Sequence, residues 1–122
     1  MKNRYEDNMQ IECVRFFKMK YPNIEISSFP AGYVFAGDKV KRAIIGKRMI
    51  QMGYRVGSPD LFIMKPTENY SGLFIELKTE TGRQSDTQKE FQKRVERNGY
   101  AYVICRSLDH FIDTVNNYLK TK

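Results

Sequence analysis

The chain has 122 residues, with 21 Lys and Arg against 14 Asp and Glu, a formal net charge of +7. That length fits one domain, residues 1–122, and 41% apolar with 13% aromatic residues supply a real core. The basic excess points to nucleic acid or another anionic surface, while the sequence offers no run suited to a membrane span, no signal peptide and no cysteine spacing for a metal, so Cys13 and Cys105 read as reduced core thiols of a cytoplasmic protein.

Residues Arg4 to Lys20 read as a helix, because Tyr5, Met9, Cys13, Phe16 and Phe17 form an apolar stripe at helical spacing. Tyr21-Pro22-Asn23 stops it, Ile24 to Phe29 alternates as a strand, and Pro30-Ala31-Gly32 reads as a turn. Asp38 caps a second helix reaching about Met52, with Gly53 as its stop. Lys39, Lys41, Arg42, Lys47, Arg48 and Arg55 lie in this segment without a single acid. A solvated helix usually mixes signs, so a run of one sign is a candidate phosphate-binding face.

Two strand-like runs follow, Leu61 to Lys65 and Leu73 to Lys78, joined by a hairpin through Pro66 to Gly72. Ser85-Asp86-Thr87-Gln88 has the form of a capping box and opens a third helix with Phe91 and Val95 inward, ending at Asn98-Gly99. Tyr100 to Cys105 is a strand, and Ser107 caps a last helix carrying Leu108, Phe111, Ile112, Val115 and Leu119 at helical spacing. The order α, β, α, β, β, α, β, α predicts an α/β fold, a small central mixed sheet flanked by helices. The hairpin pair is antiparallel, and the strand reached through the Ser85 helix is parallel to its predecessor. His110, the single histidine, sits in the last helical pattern, far in sequence from the acids below.

Chemistry concentrates on the hairpin. Asp60 follows Gly57-Ser58-Pro59 and opens the first run; Glu76 and Lys78 alternate onto one face of the second, with Leu77 opposite. A Glu-x-Lys pair is commonly a solvated strand face. Here the flanking Phe74, Ile75 and Leu77 are apolar, which argues for a covered strand. Buried charges must bind a cation or one another, and two carboxylates beside an ammonium suit a hydrated Mg²⁺ and a phosphate.

The run Gly57-x-Pro59-Asp60 followed by Glu76-x-Lys78 resembles the PD-(D/E)xK nuclease superfamily, whose core is restriction-endonuclease-like. A longer ordered set extends the likeness: Glu6 and Gln10, then Val14-Arg15-Phe16-Phe17, Tyr21-Pro22, Gly82-Arg83-x-Ser85-x-x-Gln88 and Gly99-Tyr100. Together these resemble the VRR-NUC family, the virus-type replication-repair nucleases, in the short stand-alone form of phage and bacteria. The resemblance implies a metal-dependent DNA endonuclease acting in repair. Glu6, Asp60, Glu76 and the Leu77 carbonyl would bind Mg²⁺ or Mn²⁺, and Lys78 would lie by the attacking water. Gln88 belongs to the signature, either in the active site or as the N3 partner of its helix cap. Glu12 lies near Glu6 in sequence, but Glu6 shares a helical face with Gln10 and is preferred as the ligand.

Stand-alone members are similar to Holliday-junction resolvases and tend to be homodimers. That implies branched DNA, a four-way junction above all, as the substrate. The alternatives are a flap or other branched-DNA nuclease, or a non-catalytic DNA-binding module that keeps the fold. Met9, Ile11, Val14, Met49, Ile50 and Met52 exceed what a small core obviously needs, and some of them are expected at a dimer interface. The family's Pro-Asn-Gly after the first strand is replaced here by Pro30-Ala31-Gly32, which removes an asparagine side chain.

Overall fold

A computed structural model describes residues 4–29 and 38–120; the turn expected at Pro30-Ala31-Gly32 lies outside them. Helix α1 (Arg4–Lys20) leads to strand β1 (Ile26–Ser28), helix α2 (Lys39–Gln51), strands β2 (Leu61–Ile63) and β3 (Leu73–Leu77), helix α3 (Asp86–Arg97), strand β4 (Ala101–Cys105) and helix α4 (Leu108–Leu119). The expected order of elements holds, with β1 and β2 shorter than the alternation of their residues implies. The four strands form one mixed sheet in the order β1-β2-β3-β4. β1, β2 and β3 are successively antiparallel, and β4 runs parallel to β3.

The registers sort the side chains into two faces. Leu61 opposes Ile75, Ile63 opposes Leu73, and Leu77 opposes Cys105. These residues face Met9, Cys13 and Phe17 of α1 and Phe111 and Val115 of α4, and together they make the main core. Every one of the five residues of β3 is buried, as expected of a central strand covered on both sides. Cys13 and Cys105 are both thiols outside any disulfide and lie in this core. Met9 is buried there and Val14 packs against it, so these two serve the protein's own core, whereas Ile11 is exposed.

The opposite face is aromatic at one end. Phe62 stacks on Phe74 with centroids 4.4 Å apart, and Phe91 of α3 meets Phe74 edge-on at 5.4 Å. Aromatic pairs in these arrangements add to the area they bury. Gly72 leaves room for this cluster, because a Cβ there would meet the Phe62 ring at 2.8 Å.

The helix ends follow local chemistry. Asp38 accepts from the Lys41 N–H at 2.9 Å, and Ser107 accepts from the His110 N–H at 3.0 Å. Gly53, just past the α2 cap, has φ +109°, a conformation that side chains disfavour. At α3 the expected capping box forms in full: Ser85 Oγ accepts from the Gln88 N–H at 3.2 Å, and Gln88 Oε1 accepts from the Ser85 N–H at 2.9 Å. The Gln88 side chain therefore serves a helix end. Gln88→Ala is expected to lower the unfolding free energy by about 0.5–1 kcal/mol, the usual size of a capping contribution, and Gln88→Glu, which keeps an acceptor, should retain most of it. Urea denaturation of the three proteins measures this; equal midpoints would show that the box adds nothing.

Candidate active site

The site is built where β3 runs out. Pro59 has no N–H, so the ladder between β2 and β3 cannot continue past Asp60 in the ordinary way. Asp60 takes over with its own groups. Its N–H donates to the Ile75 carbonyl at 3.0 Å, and its Oδ2 accepts from the Leu77 N–H at 2.6 Å. The aspartate is thus tied to the residues on both sides of Glu76. Alternation from Phe62, which opposes Phe74, puts Asp60 on the same face as Glu76. The turn that delivers it depends on Gly57, which has φ +85° and would bring a Cβ to 2.6 Å from the backbone of Thr87.

Glu76 is fully buried. Its Oε1 accepts from the Tyr102 hydroxyl and from Gln84 Nε2, the latter at 3.3 Å. Gln84 Nε2 also donates to Gln92 Oε1 of α3 at 2.9 Å and reaches the Tyr102 oxygen at 3.4 Å. The other carboxylate oxygen, Oε2, lies 3.4 Å from Lys78 Nζ as an ion pair, is buried, and makes no hydrogen bond among the described residues. A buried acceptor without a hydrogen bond carries a desolvation cost of about 1–3 kcal/mol, more when charged. Burial first, then the hydrogen bond to Glu76 and its charge, push the Tyr102 phenol above its ordinary range. Tyr102 therefore stays protonated and keeps its proton for the carboxylate.

The segment after β3 is clipped in place. Arg106 Nη1 donates to the carbonyls of Thr79, Glu80 and Gly82 at 2.8, 3.4 and 2.7 Å. Glu6, near the start of α1, accepts from the Thr79 N–H at 3.3 Å with its Oε2. Glu6 thus sits at the end of the strand, one residue past Lys78, and bonds backbone there.

The structure brings Asp60, Glu76, Leu77 and Lys78 together, with Glu6 at the strand end and Gln88 in its helix cap. It adds Gln84, Gln92, Tyr102 and Arg106, which sequence reasoning missed. Tyr102 could be found only through the register that sets it opposite Phe74, and Gln84 lies in a stretch that reads as loop. Lys39, Lys41, Arg42, Lys47 and Arg48 lie along α2 and are all exposed; Arg55 lies beyond the helix with its guanidinium 5.7 Å from the Phe91 ring centroid.

Among the described residues no three His, Cys, Asp or Glu side chains are gathered closely enough to hold a metal ion in this conformation. The donor set nonetheless fits a hard divalent cation. Glu76 Oε2 is a buried carboxylate oxygen with no hydrogen bond among the described residues, and Asp60 bonds the residues on either side of Glu76. Lys78 donates its backbone N–H to Cys105 of β4, so the Leu77 carbonyl is directed to the β2 side, where Pro59 has no N–H to offer it.

No helix among the described residues is long and apolar enough to cross a membrane. The VRR-NUC domain model matches residues 34–109, which include Asp60, Glu76, Leu77 and Lys78 but not Glu6. A solved structure described as a VRR_NUC domain protein is similar with a TM-score of 0.73 and 25% identity, covering 94% of this chain and 88% of that chain. No curated protein matches the chain. The strand-end carboxylates, the mixed sheet and the match across well over half of the sequence lead to one conclusion: the chain belongs to the VRR-NUC domain family of nucleases.

Proposed function

We propose that the protein is a Mg²⁺- or Mn²⁺-dependent DNA endonuclease that hydrolyses phosphodiester bonds in branched DNA, the four-way Holliday junction above all, as a homodimer. The observation that carries this reading is the buried Glu76, with one oxygen engaged by two donors and the other facing Lys78 without a hydrogen bond. A fold does not keep such a group cheaply, and a cation is its natural complement.

The metal, when bound, would supply an activated water and neutralise charge on the phosphate. Asp60, Glu76 and the Leu77 carbonyl would hold it, with Glu6 reaching the site from its place at Thr79. Lys78, within 3.4 Å of Glu76, would orient the attacking water and offset charge that grows on the phosphoryl oxygens. The exposed cations of α2 would hold the DNA backbone without reading sequence. A junction has two symmetric scissile strands, which a two-fold dimer matches. Ile44, Ile45, Ile50 and Met52 on and just past α2, and Ile11 on α1, are exposed apolar residues available to such an interface.

Asp60→Ala and Glu76→Ala should each abolish cleavage and metal binding, whereas Lys78→Ala should bind metal and cleave about 10²–10³-fold more slowly in single turnover, the usual effect of removing one transition-state donor. Calorimetric titration beside quenched-flow assays with Mg²⁺, Mn²⁺ or Ca²⁺ decides it; full activity in EDTA, or normal turnover by Lys78→Ala, would refute the assignment.

Neutralising Lys41, Arg42, Lys47 and Arg48 together should weaken DNA binding and flatten its dependence on salt, by about 0.9 in slope for each phosphate that these cations cease to neutralise. Fluorescence anisotropy across a salt series reads that slope, and an unchanged value would turn this helix away from DNA.

Sedimentation velocity should show a dimer, and a cruciform plasmid should be linearised by paired incisions while plain duplex stays largely intact. A monomer that cuts flaps faster than junctions would replace the junction reading with the flap one.

A further inference from the structure

The two oxygens of Glu76 are treated differently by the fold. Oε1 is held by two donors from separate parts of the chain, Tyr102 of β4 and Gln84 of the loop after β3. Gln84 is itself anchored to α3 through Gln92, whose amide nitrogen in turn donates to Glu96 at 3.3 Å. Oε2 receives no hydrogen bond from the described residues and has Lys78 at 3.4 Å. A carboxylate that binds a cation through both oxygens must turn them both toward it. Here Oε1 already spends its two acceptor positions on Tyr102 and Gln84, so a cation bound there as well would displace at least one of these donors. Among the described residues the Tyr102 hydroxyl has only the carboxylate to donate to, while Gln84 also holds Gln92.

Divalent cations differ in what they ask of a carboxylate. Ca²⁺ takes six to eight oxygens in loose geometry and readily accepts both oxygens of one carboxylate, whereas Mg²⁺ demands a near-octahedral shell of shorter bonds, one oxygen from each group. Resting on the nuclease reading above, we propose that Tyr102 and Gln84 are positioning residues that confine Glu76 to one-oxygen coordination through Oε2, and so make the site select small octahedral cations over Ca²⁺. The selection lies in residues that need not touch the metal. Two donors from different elements also fix the carboxylate plane more firmly than one, so the direction in which Oε2 points is set before any cation arrives.

The test is calorimetric titration of the metal-free full chain with Mn²⁺ and with Ca²⁺, in wild type, Tyr102→Phe, Gln84→Ala and Glu76→Gln, with thermal unfolding of each to establish folding. Tyr102→Phe keeps the ring and removes only the hydroxyl, and Gln84→Ala removes the second donor from a loop outside the core, so a folding defect in one leaves the other to decide. The expected result is that Ca²⁺ affinity relative to Mn²⁺ rises about tenfold in the folded variants, at the lower end of what outer partners of a metal ligand contribute. A merely structural role would weaken both cations alike and leave the ratio unmoved, and that result overturns the proposal. If wild type binds Mn²⁺, Glu76→Gln abolishes binding and the ratio still stays constant, only this inference fails. If wild type binds neither cation, the nuclease reading falls and takes the inference with it.

Discussion

Glu76 is the constraint around which the rest of the site is arranged. It is fully buried on the central strand, between Ile75 and Leu77, which are buried as well. Taking a carboxylate out of water costs several kcal/mol even after relaxation. The fold answers with two donors and an ion pair: Tyr102 across the parallel ladder and Gln84 from the loop donate to one oxygen, and the ammonium of Lys78, two residues on in the chain, faces the other. None of these is local to Glu76 except Lys78. The charge can therefore be kept only once β3 and β4 are paired and the loop is closed, and the same contacts that stabilise the carboxylate also aim it.

The position of the site follows from the two faces of the sheet. One face carries the main core, because α1 and α4 cover its centre with Met9, Cys13, Phe17, Phe111 and Val115. The other is packed with aromatic rings at the end where Phe62, Phe74 and Phe91 meet. Toward the carboxyl end of β3 the aromatic residues give way to Glu76 and Lys78, and the parallel neighbour β4 ends there too. Clefts outside the carboxyl ends of parallel strands are where open α/β sheets bind ligands, since the chain leaves the sheet there and the loops can be shaped to a substrate. Arg106, just past the end of β4, uses that geometry to clip the loop that follows β3.

Much of this was legible in the residues themselves. Features whose cause lies within one turn of chain read directly: the span Arg4–Lys20, the caps at Asp38, Ser85 and Ser107, and the shared face of Glu76 and Lys78. Asp60 was legible because it stands directly before the apolar run that begins at Leu61, which puts an acid at the mouth of a buried strand. Features that depend on pairing were not. Tyr102 becomes a partner of Glu76 only through the β3–β4 register, and nothing in Tyr100 to Cys105 signals it. Gln84 and Gln88 are both glutamines near the start of α3; the capping box takes Gln88, and the fold of the loop gives Gln84 to the carboxylate. Met9 and Val14 could be assigned to an interface from sequence because an apolar residue looks the same whether it meets its own chain or another.

Helix α2 stands apart from that economy. None of its residues is buried, and its order rests on the Asp38 cap, on its own ladder and on the stop at Gly53. Helices in small proteins usually owe their stability to an apolar face packed on the core, and α2 has no such buried face. Its apolar residues Val40, Ile44, Ile45 and Ile50 are exposed among cations. A helix with that composition gains little from the monomer it belongs to. In the proposed function the gain would come from outside, from phosphates that neutralise its cations and from a second copy that covers its isoleucines. Chemistry and affinity would then be divided by rigidity. The carboxylates are fixed in the sheet, where a small displacement would spoil the geometry, and the cations are on an element held by little else, where contacts to a branched backbone can adjust without disturbing them.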